Sequence, residues 1–169
     1  MNKLTFATIG IVLGFFFLPA CKKSDSKPPM PTGPSSTTQW TFDGQTYQHP
    51  GAAWRYDTAA NAGILYSVDN TATSEIEVAF YLSDPRAKPS PGTYYFSDPG
   101  GNPPSGVSLN QLILMEIGNP NTGSAFSSIG GTVKDSAVVS FSGTGKLIVY
   151  FSNISIQDGS KVSGTLIEL

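Results

Sequence analysis

The stretch EIEVAFYL, residues 75–82, decides the fold class because a large apolar side chain stands at every second residue from 76 to 82. These residues are Ile76, Val78, Phe80 and Leu82. In an extended chain these four point to one side, while Glu75 and Glu77 point to the other. This alternation is typical of a strand with one buried and one solvated face, so we expect a sheet that packs this apolar face into a core.

The chain after residue 38 repeats this pattern in short runs separated by turn signals. Asp43-Gly44 lies between two runs rich in β-branched and aromatic residues, and this pair is a strong hairpin signal. Further strands are predicted at residues 52–56, 63–69, 75–82, 93–96, 107–117, 137–142, 146–156 and 161–168. About ten short strands indicate an all-β domain, either an antiparallel β-sandwich or a flattened barrel.

A lipocalin-like up-and-down barrel is the alternative fold, and it differs in what fills the interior. Such a barrel encloses space for a ligand. A sandwich is instead filled by inward side chains, here predicted to be Ile76, Val78, Phe80, Leu147 and Val149. Both folds give the same period of two, so the alternation leaves them open.

The N-terminal residues predict export and lipid anchoring. Lys3 precedes 15 uncharged residues, 4–18, which is shorter than the roughly 20 residues of a membrane-spanning helix and fits a secretory signal. The following LPAC, residues 18–21, resembles the lipobox of bacterial lipoproteins, in which the cysteine thiol accepts a diacylglycerol. By this resemblance residues 1–20 are a lipoprotein signal peptide, and Cys21 carries the acyl chains that hold the protein to membrane lipid.

The predicted mature chain has two parts. Residues 21–38 form the lipidated cysteine and a flexible tether rich in proline and serine, and residues 39–169 form the all-β domain. Lys22 follows the cysteine. By resemblance to known sorting rules, a residue other than aspartate at this position favours the outer membrane. We therefore expect an exported protein anchored to the cell envelope of a Gram-negative bacterium.

This layout resembles the small Bacteroidota-type lipoproteins of uncharacterised function. The resemblance is carried by WTFDG at residues 40–44, PGTY at 91–94, GKLIV at 145–149 and VSGTL at 162–166. It implies a single all-β domain behind a lipid anchor, and it implies no activity that could be assigned to residues.

Charge and composition argue against several functional classes. Residues 39–169 carry six basic and eleven acidic side chains, so the domain lacks the basic footprint of a nucleic-acid-binding protein. His49 is the only histidine and precedes a Pro-Gly turn, and the only cysteine is assigned to lipid. We therefore predict no metal site and no cofactor. The loop oxygens of Asp57, Asp69, Asn70, Asp98 and Asn102 leave a structural calcium ion open, although their spacing matches no EF-hand.

An enzymatic function would rest on Glu75 and Glu77, which share one face of a strand with Cβ atoms about 7 Å apart. Paired carboxylates can hydrolyse glycosides, but alternation with isoleucine and valine is typical of a solvated sheet face. No serine lies in a Gly-x-Ser-x-Gly elbow. The prediction is therefore a non-catalytic protein, with a glycoside-acting enzyme as an alternative.

Aromatic side chains on strands are the candidate binding residues, because exposed rings stack on sugars while polar neighbours bind hydroxyl groups. The candidates are Trp54, Arg55, Tyr56, Tyr81 and Tyr95. Packing in the core is the competing interpretation for the tryptophans. The predicted function is a binding or accessory module for a glycan or a partner envelope protein, and a periplasmic carrier of a small apolar ligand is a further alternative.

Overall fold

The structure is a computed structural model that describes residues 37–97, 102–130 and 134–169. The predicted signal peptide, Cys21 and the tether up to residue 36 lie outside the described residues. The first strand begins at Thr38, one residue before the predicted domain boundary. The buried Thr38 hydroxyl donates to the Ile167 carbonyl at 3.1 Å and accepts from the Ile167 N–H at 2.8 Å, so Thr38 is part of the folded domain.

The described chain is built from eleven strands and one short 3₁₀ helix. The strands are β1 (Thr38–Phe42), β2 (Gln45–His49), β3 (Ala53–Asp57), β4 (Ala62–Val68), β5 (Glu75–Phe80), β6 (Gly92–Phe96), β7 (Leu112–Asn119), β8 (Ser124–Ser127), β9 (Ser136–Phe141), β10 (Leu147–Ser155) and β11 (Lys161–Ile167). The 3₁₀ helix is Leu109–Gln111. The predicted all-β class is confirmed, and no helix of the described residues is long and apolar enough to cross a membrane.

All strands belong to one sheet, in the order β2-β1-β11-β10-β9-β6-β7-β5-β4-β3, with β8 paired to β7 beside this path. Neighbouring strands are antiparallel except for β6 and β7, which are parallel. Because β6 lies between β9 and β7, the order differs from the continuous meander of a lipocalin-like up-and-down barrel, and that alternative is wrong for this topology.

The curled sheet is held by hydrogen bonds from the connection between its two outermost strands, β2 and β3. These strands are consecutive in the chain and are joined by residues 50–52. The Ala52 N–H donates to the Ile167 carbonyl at 2.6 Å, and the Leu169 N–H donates to the Ala52 carbonyl at 2.9 Å. The Asn70 N–H also donates to the Gln48 carbonyl of β2 at 3.0 Å. These bonds tie the β2–β3 connection to β11 and to the residue Leu169 after it, and they tie the β4–β5 loop to β2.

The concave side of the curled sheet is filled by one apolar cluster. All five predicted core residues, Ile76, Val78, Phe80, Leu147 and Val149, are completely buried within it. Trp40, Phe96 and Phe151 are equally buried in the same cluster. Side chains therefore occupy the space in which a barrel of the lipocalin type would hold its ligand.

Candidate functional site

A second, smaller apolar layer lies on the convex side of β4, β5 and β7, which we call the outer face. Its buried members are Ala62, Ile64 and Ala79, and Tyr66, Tyr81 and Leu114 pack over them. Register explains this grouping, because Ile64 pairs with Ala79 and Ala79 pairs with Leu114 across adjacent strands. On the outer face, the side chains of Tyr66 and Tyr81 therefore pack over buried apolar residues.

An open groove of about 450 Å³ lies at the end of the outer face where β5 stops. We call it the Tyr81 groove, and it is lined by Asn61, Tyr81, Leu82, Ser83, Leu109, Asn110 and Leu112. Its volume falls in the range of small-molecule sites. Leu109 is 64 % exposed, so an apolar side chain stands in water beside the tyrosine. The groove combines an aromatic ring and apolar surface with two amides and a hydroxyl.

Local backbone contacts set the position of each polar group in the Tyr81 groove. Tyr81 extends the register of β5, since its N–H donates to the Leu112 carbonyl at 3.3 Å. Asn61 ends the β3–β4 turn with φ of 49°, and its Oδ1 accepts the Tyr56 hydroxyl proton at 3.0 Å. Asn110 lies in the 3₁₀ helix that leads into β7. Because a side-chain amide both donates and accepts, each asparagine can bind a ligand hydroxyl.

Tyr95 lies next to this groove on the same convex side. In β6 its neighbours Tyr94 and Phe96 are buried in the core, so the alternation turns Tyr95 outward. Tyr95 is the parallel partner of Leu112, and Leu112 lines the Tyr81 groove. Two of the five sequence-predicted residues, Tyr81 and Tyr95, are therefore brought to the two sides of one groove residue.

The opposite end of the outer face holds a pocket of about 230 Å³ that we call the acidic pocket. Arg55, Tyr66, Glu75, Glu77, Glu116, Ile117, Gly118 and Ala125 line it. Glu77 of β5 is the cross-strand partner of Glu116 of β7. The Arg55 guanidinium lies 3.4 Å from Glu77 Oε2 and 4.8 Å from the centre of the Tyr66 ring. The Tyr66 hydroxyl donates to Glu75 Oε2 at 3.0 Å.

Burial and like charge change the acidity of two groups in the acidic pocket. Burial, reinforced by the Glu116 carboxylate, raises the pKa of Glu77 despite the Arg55 charge. Burial and the hydrogen bond to Glu75 raise the pKa of Tyr66. A carboxyl group whose pKa is raised beside a second carboxylate is a candidate proton donor.

The remaining predicted residues of β3 are not brought into the Tyr81 groove. Trp54 packs on the core, with its ring centre 5.8 Å from that of Phe80, and a Cβ placed on Gly63 would lie 2.4 Å from Trp54 Cζ2. The Arg86 guanidinium covers the Tyr56 ring at 5.1 Å. Arg55 faces outward into the acidic pocket.

The sequence did not identify the polar or exposed groove residues Asn61, Ser83, Leu109 and Asn110, and it did not identify Glu116. Asn61 and Asn110 stand in short connections, where asparagine is common for reasons of turn geometry. Leu109 fell within the strand predicted at 107–117, although it lies in the 3₁₀ helix before β7. The polar pair Asn110-Gln111 directly after Leu109 is the sequence feature that could have indicated an exposed position for Leu109.

Two of the loop carboxylates considered for calcium, those of Asp57 and Asp69, accept hydrogen bonds from the chain itself. Asp69 Oδ1 accepts the N–H groups of Thr73 at 2.7 Å and Ser74 at 2.6 Å. Asp57 Oδ1 accepts those of Ala59 at 2.8 Å and Ala60 at 3.0 Å. Within residues 37–97, 102–130 and 134–169, no group of three or more His, Cys, Asp or Glu residues could hold a metal ion. Asp98 lies outside the described residues.

Comparison with protein-family models, with curated proteins and with solved structures gave no match to this chain.

Proposed function

We propose that this protein is a lipid-anchored, non-catalytic binding module of the bacterial envelope that takes a glycan in the Tyr81 groove. The observation that carries the proposal is the composition of this groove. An outward tyrosine ring and the exposed Leu109 stand beside the side chains of Asn61, Asn110 and Ser83.

A sugar ring matches this lining because it has apolar C–H faces and a rim of hydroxyl groups. The Tyr81 ring offers a flat apolar surface for such a face. The amides and the serine hydroxyl supply donors and acceptors for the rim. The filled interior favours binding at the surface over carriage of an apolar ligand inside the sheet.

The anchor in this proposal rests on the lipobox residues 18–21 and on the proline-rich stretch that follows them. Cell fractionation tests it. Wild-type protein is expected in the membrane fraction and a Cys21→Ser variant in the soluble fraction. Wild-type protein in the soluble fraction would contradict the predicted lipid anchor. Protease treatment of intact cells then reports which side of the membrane the domain faces.

A glycan array probed with the full chain tests the binding function. Tyr81→Ala is expected to weaken any positive glycan about tenfold, which corresponds to roughly 1.4 kcal/mol, while Tyr81→Phe keeps the ring and most of the affinity. Tyr150→Ala is the matched control, since Tyr150 is a half-buried tyrosine of β10 outside the groove. Equal binding by Tyr81→Ala and wild type would contradict the proposal.

The acidic pocket supports a second candidate, a glycoside-acting enzyme. Its support is the raised pKa of Glu77 opposite Glu116, the pairing of proton donor and carboxylate that glycosidases use. Hydrolysis of a bound glycan that is lost in both Glu77→Gln and Glu116→Gln would establish this activity. Binding without turnover in the wild type would leave the module non-catalytic.

A further inference from the structure

A second hollow of about 340 Å³ adjoins the Tyr81 groove, and we call it the distal hollow. Leu82, Ser83 and Asn110 line both depressions, so the two meet at these residues. The distal hollow adds Asp84, Ala87, Lys88, Ser90 and Tyr94, among others, to the shared lining. One continuous depression therefore runs from Tyr81 across the shared residues to the loop of residues 83–91.

Hydrogen bonds hold the wall of the distal hollow in place. The Arg86 N–H donates to Asp84 Oδ1 at 3.1 Å, and the Ala87 N–H donates to the Asp84 carbonyl at 3.1 Å. The Tyr94 hydroxyl donates to the Ser90 carbonyl at 3.0 Å. A wall fixed before the ligand arrives loses little entropy on binding, so the hollow is suited to act as a binding subsite.

The charges of the distal hollow are balanced. Asp84 and Lys88 contribute one charge of each sign, and the Lys88 ammonium lies 2.7 Å from Glu168 Oε2. The Tyr81 groove is lined by uncharged residues. A charged ligand would find no excess of opposite charge among these side chains, whereas hydroxyl groups would find both donors and acceptors.

From this continuity and this charge balance we infer that the ligand is a neutral oligosaccharide of several units that fills both depressions, rather than a single sugar. The inference rests on the proposed glycan-binding function of the Tyr81 groove. One unit stacks on Tyr81, the next crosses Leu82 and Ser83, and a further unit reaches Asp84. Affinity therefore depends on chain length up to the number of units that fills both depressions.

Isothermal titration of the full chain tests this inference. The probes are neutral series of one to six units built from β-1,4-glucose, β-1,4-xylose, β-1,4-N-acetylglucosamine or α-1,6-mannose. In the series that binds, affinity is expected to rise at least tenfold between one and three units and then to level off. Ala87→Arg, which places a long side chain in the distal hollow, is expected to abolish that rise while leaving the affinity for one unit unchanged.

Thr144→Arg is the matched control, because Thr144 is exposed in the β9–β10 turn and lines neither depression. It is expected to keep the full length dependence. Equal affinity at every length, or equal losses for one and three units in Ala87→Arg, would overturn the inference and leave the glycan-binding function standing. Failure of all four series to bind the wild type would contradict the glycan-binding function itself, and the inference with it.

Discussion

Glu77 of β5 lies directly opposite Glu116 of β7 on the outer face of the sheet. Like charges in this position destabilise a sheet. The Glu77 side chain is 24 % exposed, and its burial, together with Glu116, raises the pKa of Glu77. Because the folded protein then holds this proton more tightly than the unfolded chain, the stability gained from the proton is lost as the pH rises through the folded pKa.

Replacing Glu77 with glutamine is expected to raise the free energy of unfolding by about 0.5 kcal/mol at pH 8, because it removes the repulsion from Glu116. The loss of the exposed Arg55 contact offsets only part of this gain. Urea unfolding of both proteins at pH 4 and pH 8 measures the effect. The two curves should converge at pH 4, and a variant less stable than wild type at pH 8 would contradict this electrostatic account.

Asp69 should stabilise the β4–β5 loop through the hydrogen bonds it accepts. Burial opposes its ionisation, but the bonds from Thr71, Ser74 and Thr73 outweigh that effect and lower the pKa of Asp69. This stability is present above the ordinary aspartate pKa and is lost as the pH falls through the lower folded value. Asp69→Asn is expected to cost about 1–3 kcal/mol at pH 7.

Chemical denaturation at pH 7 measures the cost of Asp69→Asn. Asp158→Asn is a suitable control, because Asp158 Oδ1 also accepts a backbone N–H, from Ser160 at 2.9 Å, but in an exposed turn. Its effect should be smaller than that of Asp69→Asn. Equal effects would mean that neither the additional hydrogen bonds of Asp69 nor its burial, at 7 % exposed, adds stability.

Gly164 of β11 is expected to reject any side chain. A Cβ at this position would lie 2.5 Å from the Gln39 carbonyl oxygen and 2.9 Å from Trp40 Cα, so the neighbouring strand would have to move. Gly164→Ala should cost about 1–3 kcal/mol, read from the shift of the thermal unfolding midpoint. Gly143→Ala, which meets nothing within 4 Å, should change stability by less than about 0.5 kcal/mol.

Alanine substitutions at Trp54 and Tyr81 should affect different properties, the stability of the fold and the affinity for glycan. Trp54→Ala removes a ring that packs against Phe80 and is expected to cost about 3 kcal/mol, with little change in glycan affinity. Tyr81→Ala should weaken glycan binding with a smaller loss of stability. Thermal unfolding and titration of both variants give the comparison. Loss of glycan affinity in a folded Trp54→Ala protein would contradict this separation and show that Trp54 contributes to binding.

Local alternation was sufficient to predict which residues fill the core. EIEVAFYL places Ile76, Val78 and Phe80 inside, and all three are completely buried. Leu82, predicted on the same face, is only partly buried because β5 ends at Phe80 and the chain turns away. Ten of the eleven strands were predicted, and β8 was not, because its sequence, SAFS, contains no apolar alternation. Its pairing with β7 gives this segment its strand geometry.

The candidate site could be predicted only in part, because it depends on pairings between strands that are distant in the sequence. The outward position of Glu77 follows from alternation, but its pairing with Glu116 requires β5 to lie beside β7. Likewise Tyr81 lies near Leu112 because β5 pairs with β7, and Tyr95 lies near Leu112 because β6 pairs with β7 on the other side. No local pattern of residues specifies these neighbours.

The most direct test of the central claim is an NMR titration that locates the bound glycan. The sample is the full ¹⁵N-labelled chain carrying Cys21→Ser, and the ligand is a neutral oligosaccharide that the array identifies. The account predicts that the side-chain amide signals of Asn61 and Asn110 shift with increasing glycan, together with the backbone signal of Tyr81. Shifts confined to residues outside the Tyr81 groove, such as the lining of the acidic pocket, would contradict it.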